Sequence, residues 1–263
     1  MSFSINHLGN NGHLGNQMFQ YAAVKSLAKK YNTDFCIPPN DIFGKHYYQD
    51  LFSNIDEAFD LKCDRAIKDY PVAQEKTFEY DEEFVESLSG GDYNLIGFFQ
   101  SEKYFANIAD ELRTKDFLFR DEIVKNCSEI VDVYKGSIAV HIRRNDFLKN
   151  PNHPVQSNDY YSSALKEFPD DIPVLVFSDD PEWCMEQEIF SDDRFLVSET
   201  NDAYYDLYIM SKCDYHVICN STFSWWGAWL ADSKNVIAPK KWFGGDCINH
   251  NTKDLYLDHW KLI

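Results

Sequence analysis

Apolar residues in the second half of the chain fall into short unbroken runs separated by amphipathic stretches. Ile138–Ile142 is the first such run, too short for a helix, and reads as a buried strand. A helix over Asn158–Phe168 follows, with Asn158 placed to cap it, and then a strand over Val174–Ser178. Asp180-Pro181 opens the next helix, since proline suits a first helical turn. A short strand at Phe195–Val197, a helix over Ala203–Cys213, a strand at His216–Cys219, a helix over Ser224–Ala231 and a strand at Val236–Ala238 complete the series. Such alternation predicts a parallel, doubly wound α/β sheet.

The first half is less regular. Ser2–Leu8 reads as a strand. Gln17–Tyr31 is an amphipathic helix, with Phe19, Ala22, Ala23, Leu27 and Ala28 opposite Lys25, Lys29 and Lys30. Thr33–Ile37 is a second strand, stopped by Pro38-Pro39, and Asn94–Phe99 a third, followed by a helix near Glu102–Leu112. Residues 40–92 are acidic and aromatic and resist assignment. A boundary near residues 132–136 gives two α/β lobes, 1–134 and 135–263, facing a central cleft.

Composition narrows the partners. The 263 residues carry 43 acidic and 25 basic side chains, a formal charge of −18, so a broad nucleic-acid-binding face is excluded. An anionic small ligand needs a local cationic cluster, and Arg143-Arg144, directly after the strand Ile138–Ile142, is the obvious one. Paired guanidiniums at the carboxyl end of such a strand suit phosphate; salt bridges to nearby carboxylates are the competing account. The seven cysteines are scattered, without a C-x-x-C, as expected of buried thiols in a reducing compartment rather than a zinc site. The N-terminus lacks a secretory pattern, and no run approaches the ~20 apolar residues that cross a bilayer. A cytoplasmic protein is expected, with peripheral membrane attachment left open.

Three further segments carry chemistry. Gly9, Gly12 and Gly15 precede a helix, where backbone can approach a ligand or simply turn. Ser221 and Thr222 lie where the strand ending at Cys219 meets a helix, so they either bind an anion or cap that helix. Asp179 and Asp180, at the end of Val174–Ser178, either meet a ribose or base or cap the next helix. Trp225, Trp226 and Trp229 read as core, and the sequon Asn220-Ser-Thr sits at a buried strand end, where glycosylation is not expected.

Together, Leu14-Gly-Asn-Gln-Met-Phe-Gln-Tyr-Ala22, Gly97-Phe-Phe-Gln-Ser-Glu-Lys-Tyr-Phe105, His141-Ile-Arg-Arg-Asn-Asp146, Phe177-Ser-Asp-Asp180, Asn220-Ser-Thr-Phe-Ser-Trp-Trp-Gly-Ala228 and Val236-Ile-Ala-Pro-Lys-Lys-Trp-Phe243 resemble glycosyltransferase family 11, the α-1,2-fucosyltransferases, in the family's order. The resemblance implies a GT-B fold of two Rossmann-like lobes. It implies inverting transfer of L-fucose from GDP-fucose to the 2-hydroxyl of a β-galactoside in a glycan, without an essential metal. On this resemblance Arg143 and Arg144 neutralise the diphosphate and His141 lines the same site. Gly15 and Asn16 approach the nucleotide-sugar, Asp179 contacts the guanosine part, and Asn220, Ser221, Thr222 and Phe223 complete the donor site.

The family's Gly and Tyr after the arginine pair are replaced here by Asn145 and Phe147, and its usual Arg or Gly before Leu14 by His13, which bears on acceptor choice. Asp146 and His153 are the candidates for the base that takes the acceptor proton, with Asp146 alternatively holding an arginine in place. Another nucleotide-sugar-dependent transferase of the same fold, or a catalytically silent sugar-nucleotide-binding protein, are the rival functions.

Overall fold

The chain folds around two parallel sheets, the second of them wound outward in both directions from a central strand. The structure, a computed structural model, describes residues 1–10, 12–39 and 55–263; Asn11 of the glycine loop and residues 40–54 of the unassigned region lie outside the described residues. Two units result: Met1–Arg120 with His250–Leu257, and Asp121–Asn249 with Asp258–Ile263.

The first unit holds β1 (Ser2–Ser4), β2 (Asp34–Ile37), β3 (Asp64–Arg65), β4 (Val72–Gln74) and β5 (Tyr93–Ile96), in the order β3-β2-β1-β5-β4, all parallel. Its principal helix, α1 (Leu14–Lys30), is buried on nearly every side up to Ala28 and not on one face as the spacing predicts: Lys29 and Lys30 are exposed, but Lys25, expected beside them, is half-buried and pairs with Asp116 and Glu111, because residues 105–116 cover that side of the helix. The strand ends at β1 and β5 are joined through Asn94, whose Oδ1 accepts from the Asn6 N–H at 3.0 Å.

The second unit holds β6 (Ile138–Ile142), β7 (Val174–Ser178), β8 (Phe195–Val197), β9 (Tyr215–Val217), β10 (Asn235–Ala238) and β11 (Lys261–Leu262), in the order β11-β10-β9-β6-β7-β8, again parallel throughout. Every residue of β6 is buried, because both faces of a central parallel strand are covered. Ile138, Val140, Ile142, Val174, Val176 and Val217 form the core with Tyr161 and Leu165 of the helix Asn158–Leu165. The three tryptophans are core, as expected: Trp225 and Trp226 meet edge to face, with centroids 5.0 Å apart.

Several expectations shift. The helix near residue 158 is capped by Ser157, whose hydroxyl accepts from the Tyr160 N–H; Asn158 is its first helical residue. Residues 102–116 form successive 3₁₀, α and π turns instead of one helix, because Tyr104 packs on Phe99 while Phe105 packs on Phe19. The strand expected over Ser2–Leu8 ends at Ser4.

The boundary expected at 134–135 falls instead after Arg120. The helix Asp121–Val133 packs on the helix Ala203–Met210, with the Asn126 amide donating to the Tyr205 hydroxyl at 2.6 Å, and so joins the second unit. His250–Leu257 returns to the first unit, where Asp254 accepts from the Tyr80 N–H at 3.2 Å and pairs with Lys103. A division read along a linear chain has no means to show such a return.

Among the described residues, no helix is long and apolar enough to cross a membrane. The helix Ala203–Met210 depends on Asp202, whose carboxylate accepts from the Tyr204 and Tyr205 N–H groups at 2.8 and 3.2 Å. Asp202→Ala is expected to cost about 1 kcal/mol of stability, as lost caps do, read as a lower midpoint with unchanged slope in urea denaturation.

Candidate active site

Strand order reverses in the second unit's sheet, between β6 and β9; in the first unit β1→β2→β3 and β4→β5 step the same way across the sheet, which makes β1 and β5 neighbours without a reversal. Loops leaving the two strands at a reversal turn to opposite faces of the sheet, and the crevice at their carboxyl ends is where open α/β sheets bind ligands. His141-Ile-Arg-Arg144 straddles the end of β6, and Cys219–Phe223 follows β9. The ends are held together by His141, whose Nδ1 lies 3.2 Å from the Cys219 sulfur and whose ring sits 5.3 Å from that of Phe223.

Burial, reinforced by the Arg143 charge, pushes the His141 pKa down to about 3, and burial pushes the Cys219 thiol up to about 12. The pair is therefore neutral at neutral pH, and His141 contributes no positive charge to the crevice.

That charge comes from the arginines. Arg143 Nε donates to Asp146 at 2.8 Å and lies 3.2 Å from Asp179. Arg144 Nε donates to Asp180 at 3.0 Å, and its guanidinium lies 3.7 Å from the centre of the Trp183 ring. The salt bridges anticipated as the competing account do exist. Each engages Nε, however, and leaves the forked Nη edge of the guanidinium without a protein hydrogen bond among the described residues. A fork held from behind in this way is oriented for a bidentate oxyanion.

Asp179 is the hub of this arrangement. Its carboxylate accepts from the backbone N–H of Arg144 at 2.8 Å and of Asn145 at 3.1 Å, while its carbonyl accepts from the Asn145 amide. Each of its carboxylate oxygens accepts one bond from the arginine loop. Burial raises its pKa, and Arg143 with the two backbone bonds opposes that rise. Asp180 caps the helix Pro181–Met185 by accepting from the Trp183 N–H at 3.3 Å. Of the two alternatives for this acidic pair, the structure realises the capping one at Asp180.

Asn220, expected at the donor site, spends its amide within the fold: it donates to the carbonyls of Pro154 and Trp242 at 3.0 and 2.9 Å and accepts from Gln156 at 2.9 Å. It ties two loops to the end of β9. Ser221 caps the helix Thr222–Leu230 by accepting from the Phe223 N–H at 3.3 Å. His153 stacks on Phe147, with centroids 5.2 Å apart, and touches Phe243; burial lowers its pKa and the Asp146 charge opposes.

Gly15 and Asn16 belong to the first unit, in the first turn of α1, which follows β1. A Cβ on Gly12, at φ +98°, would lie 2.0 Å from the Asn16 side chain, so glycine is required there. The Asn16 side-chain oxygen Oδ1 accepts from Gln100 at 2.9 Å, and Gln20 donates to the Gly97 backbone carbonyl at 3.1 Å. The loop after β5 is thereby fastened to α1. Glu75 fastens it from the other side, accepting from the N–H groups of Phe98 and Phe99 at 2.8 and 3.0 Å. Burial pushes the Glu75 carboxyl up to about 7 against those two bonds. Phe99 holds φ +52°, a left-handed conformation that costs a bulky residue about 1–3 kcal/mol.

One electrostatic regularity joins α1 and Thr222–Leu230. Every other α-helix among the described residues carries Asp or Glu in its first turn; these two carry none. In so acidic a chain, the helices that follow β1 and β9 are the ones whose positive ends no side chain of their own compensates.

The sequence model of Glycosyl transferase family 11 matches residues 2–263. This chain belongs to glycosyltransferase family 11. An α-1,2-colitosyltransferase of Escherichia coli is 34% identical over 275 residues, covering 90% of this chain and 92% of that protein. Human galactoside α-(1,2)-fucosyltransferase 1 is 23% identical, covering 86% of this chain and 65% of that one. Among solved structures, NodZ α-1,6-fucosyltransferase soaked with GDP-fucose superposes with a TM-score of 0.57 at 15% identity, over 91% of this chain and 94% of that one; NodZ has also been solved from Bradyrhizobium. The fold is α/β, of the GT-B type, and the protein is a glycosyltransferase.

Sequence reasoning missed Trp183, Gln156 and Glu75. Trp183 was within reach, three residues after a capping Asp180 and so bound to face back over it. Glu75 carried no local signal, since its partners lie more than twenty residues away.

The buried, neutral His141 has a consequence for stability. In the unfolded chain its imidazole binds a proton below pH ~6.5, whereas folded it resists protonation down to about pH 3. Stability from this group is therefore complete above the unfolded value and falls away as pH drops through the window between the two. His141→Gln is expected to flatten the fall of Tm between pH 6 and pH 4 relative to the parent, measured by thermal melts across that range.

Proposed function

We propose that this family 11 enzyme transfers L-fucose from GDP-fucose to the 2-hydroxyl of a β-galactoside in a glycan, with inversion and without a divalent metal. The observation that carries the proposal is the arginine pair at the β6/β9 reversal, its Nη edges open, beside a helix end with no acidic residue in its first turn. The named activities of the relatives and the GDP-fucose soaked into NodZ support the same donor class.

In the proposed reaction the acceptor oxygen bonds to the fucose anomeric carbon as the bond from that carbon to the β-phosphate oxygen breaks. The electron pair departs with GDP, and the acceptor proton passes to a base. Charge grows on the β-phosphate during this step, so fixed positive groups there lower the barrier most. Arg143, Arg144 and the N-terminus of Thr222–Leu230 supply that field, and Ser221 and Thr222 bring hydroxyls to the same helix end. Asp146 is assigned to orienting Arg143, whose Nε donates to it at 2.8 Å. His141 and Phe223 wall the crevice, and Asn220 holds its loops. Asp179 acts through the arginine loop.

Arg143→Ala and Arg144→Ala are each expected to lower kcat by about 10²–10³-fold, about 3–4 kcal/mol of barrier, while the purified variants melt cooperatively. Turnover near the parent's in either folded variant removes that residue from the mechanism. The Asp146→Asn pH–rate profile is expected to keep its acid limb while kcat falls; loss of that limb makes Asp146 the base. Exhaustive EDTA dialysis is expected to leave turnover unchanged.

The colitosyltransferase relative favours one second reading, in which the transferred sugar is colitose. Parallel assays with GDP-fucose and GDP-colitose decide it: a higher kcat/KM for GDP-colitose moves the donor sugar and leaves the diphosphate site as described.

A further inference from the structure

Phe98 is the one exposed aromatic residue among all those described; every other phenylalanine, tyrosine and tryptophan is buried or half-buried. It is 43% exposed, yet its backbone is clamped by a side chain from the end of β4. Glu75 takes both its N–H and that of Phe99. A Cβ on Gly97 would meet Glu75 at 2.7 and 2.8 Å, so only glycine admits the clamp. Phe99, left-handed and fully buried, packs edge to face on Tyr104 with centroids 5.3 Å apart. Turning Phe99 inward through that conformation is what turns its neighbour outward.

Backbone strain that its surroundings hold in place gathers at contact sites, and here it sets one ring in solvent. The ring stands past the carboxyl end of β5, beside β1, on a loop tied through Gln100 to Asn16 of the loop that β1 leads into. Open α/β sheets take ligands outside the carboxyl ends of their strands. A neutral sugar offers what a lone aromatic can hold, because one face of a galactose ring is a patch of C–H groups that stacks on a π surface.

Resting on the proposed function, we propose that Phe98 is the stacking platform for the acceptor hexose and that Glu75 is the positioning residue that presents it. This places acceptor recognition in the first unit, apart from the arginine site of the second.

The test is binding, so that it reads independently of turnover. Saturation-transfer NMR with methyl β-D-galactoside, in the presence of GDP, is run on the full chain and on Phe98→Ala, Phe98→Tyr, Glu75→Ala and Glu75→Gln. Phe98→Ala is expected to weaken the galactoside about five- to tenfold, while GDP affinity by calorimetry and Tm hold. Phe98→Tyr, which keeps the ring, is expected to restore binding. Glu75→Gln keeps an acceptor for the two N–H groups and is expected to stay close to the parent, whereas Glu75→Ala is expected to follow Phe98→Ala. Galactoside affinity unchanged in folded Phe98→Ala overturns the proposal, as does absence of galactoside binding to the parent. Binding that depends on Phe98 in a protein that transfers no fucose counts against the proposed function and leaves the platform standing.

Discussion

A parallel sheet wound in both directions from one strand must leave a gap at the strand where the direction changes. The loops on either side of that strand depart to opposite faces, and no crossover helix covers the space between them. The second sheet of this chain obeys the constraint: β6 leads into the arginine pair and β9 into Asn220–Phe223, two segments far apart in the chain that the topology brings to one gap. The first sheet is wound in one direction, and there β1 leads to the glycine loop and its neighbour β5 to Gly97–Gln100, both on the side of α1.

Holding two guanidiniums at the second sheet's gap is an electrostatic problem for a chain of net charge −18. Unsupported arginines would repel each other, and arginines fully wrapped by carboxylates would have nothing left to offer a ligand. The fold takes a middle course, binding each guanidinium through Nε by a carboxylate on its inner side. Trp183 supports Arg144 by its face, which restrains the cation without using its donors. The same economy explains the bare first turns of α1 and Thr222–Leu230, since an Asp or Glu there would occupy the field that an anion is meant to find. The anion-binding capacity of the site is therefore a matter of where acidic residues are absent as much as where basic ones are present.

What was legible in the sequence was what local periodicity or a dense motif determines. β6, β7 and β8 appear at their expected residues because buried parallel strands are short unbroken apolar runs with turn residues at both ends. β3, β4 and β11 were invisible: Asp64-Arg65, Val72–Gln74 and Lys261-Leu262 are too short or too polar to announce themselves, and each is a strand only because its neighbour is. At the site, the residue types were readable and their partners were not. Asp179 at a strand end suggested a ribose contact; its binding of two amides some 35 residues away is a fact of tertiary register. Asn220 stood out as part of a specific motif, but its ties to the Pro154 and Trp242 carbonyls, 66 and 22 residues away, were not readable there.

The asymmetry between donor and acceptor has a physical origin. A nucleoside diphosphate is recognised chiefly through charge, and charge is met by a few residue types at a few kinds of position: arginine forks, helix ends and small hydroxyls. Those types stand out in a sequence, the more so in one with six arginines. A neutral sugar is recognised by shape, by hydrogen bonds of ordinary polarity and by the flat face of a ring, none of which distinguishes one phenylalanine among 20 from another. Only the folded chain separates them, by burying or half-burying the other described aromatics and leaving Phe98 in the open. Under the proposed function, sequence therefore speaks to the diphosphate far more plainly than to the acceptor sugar.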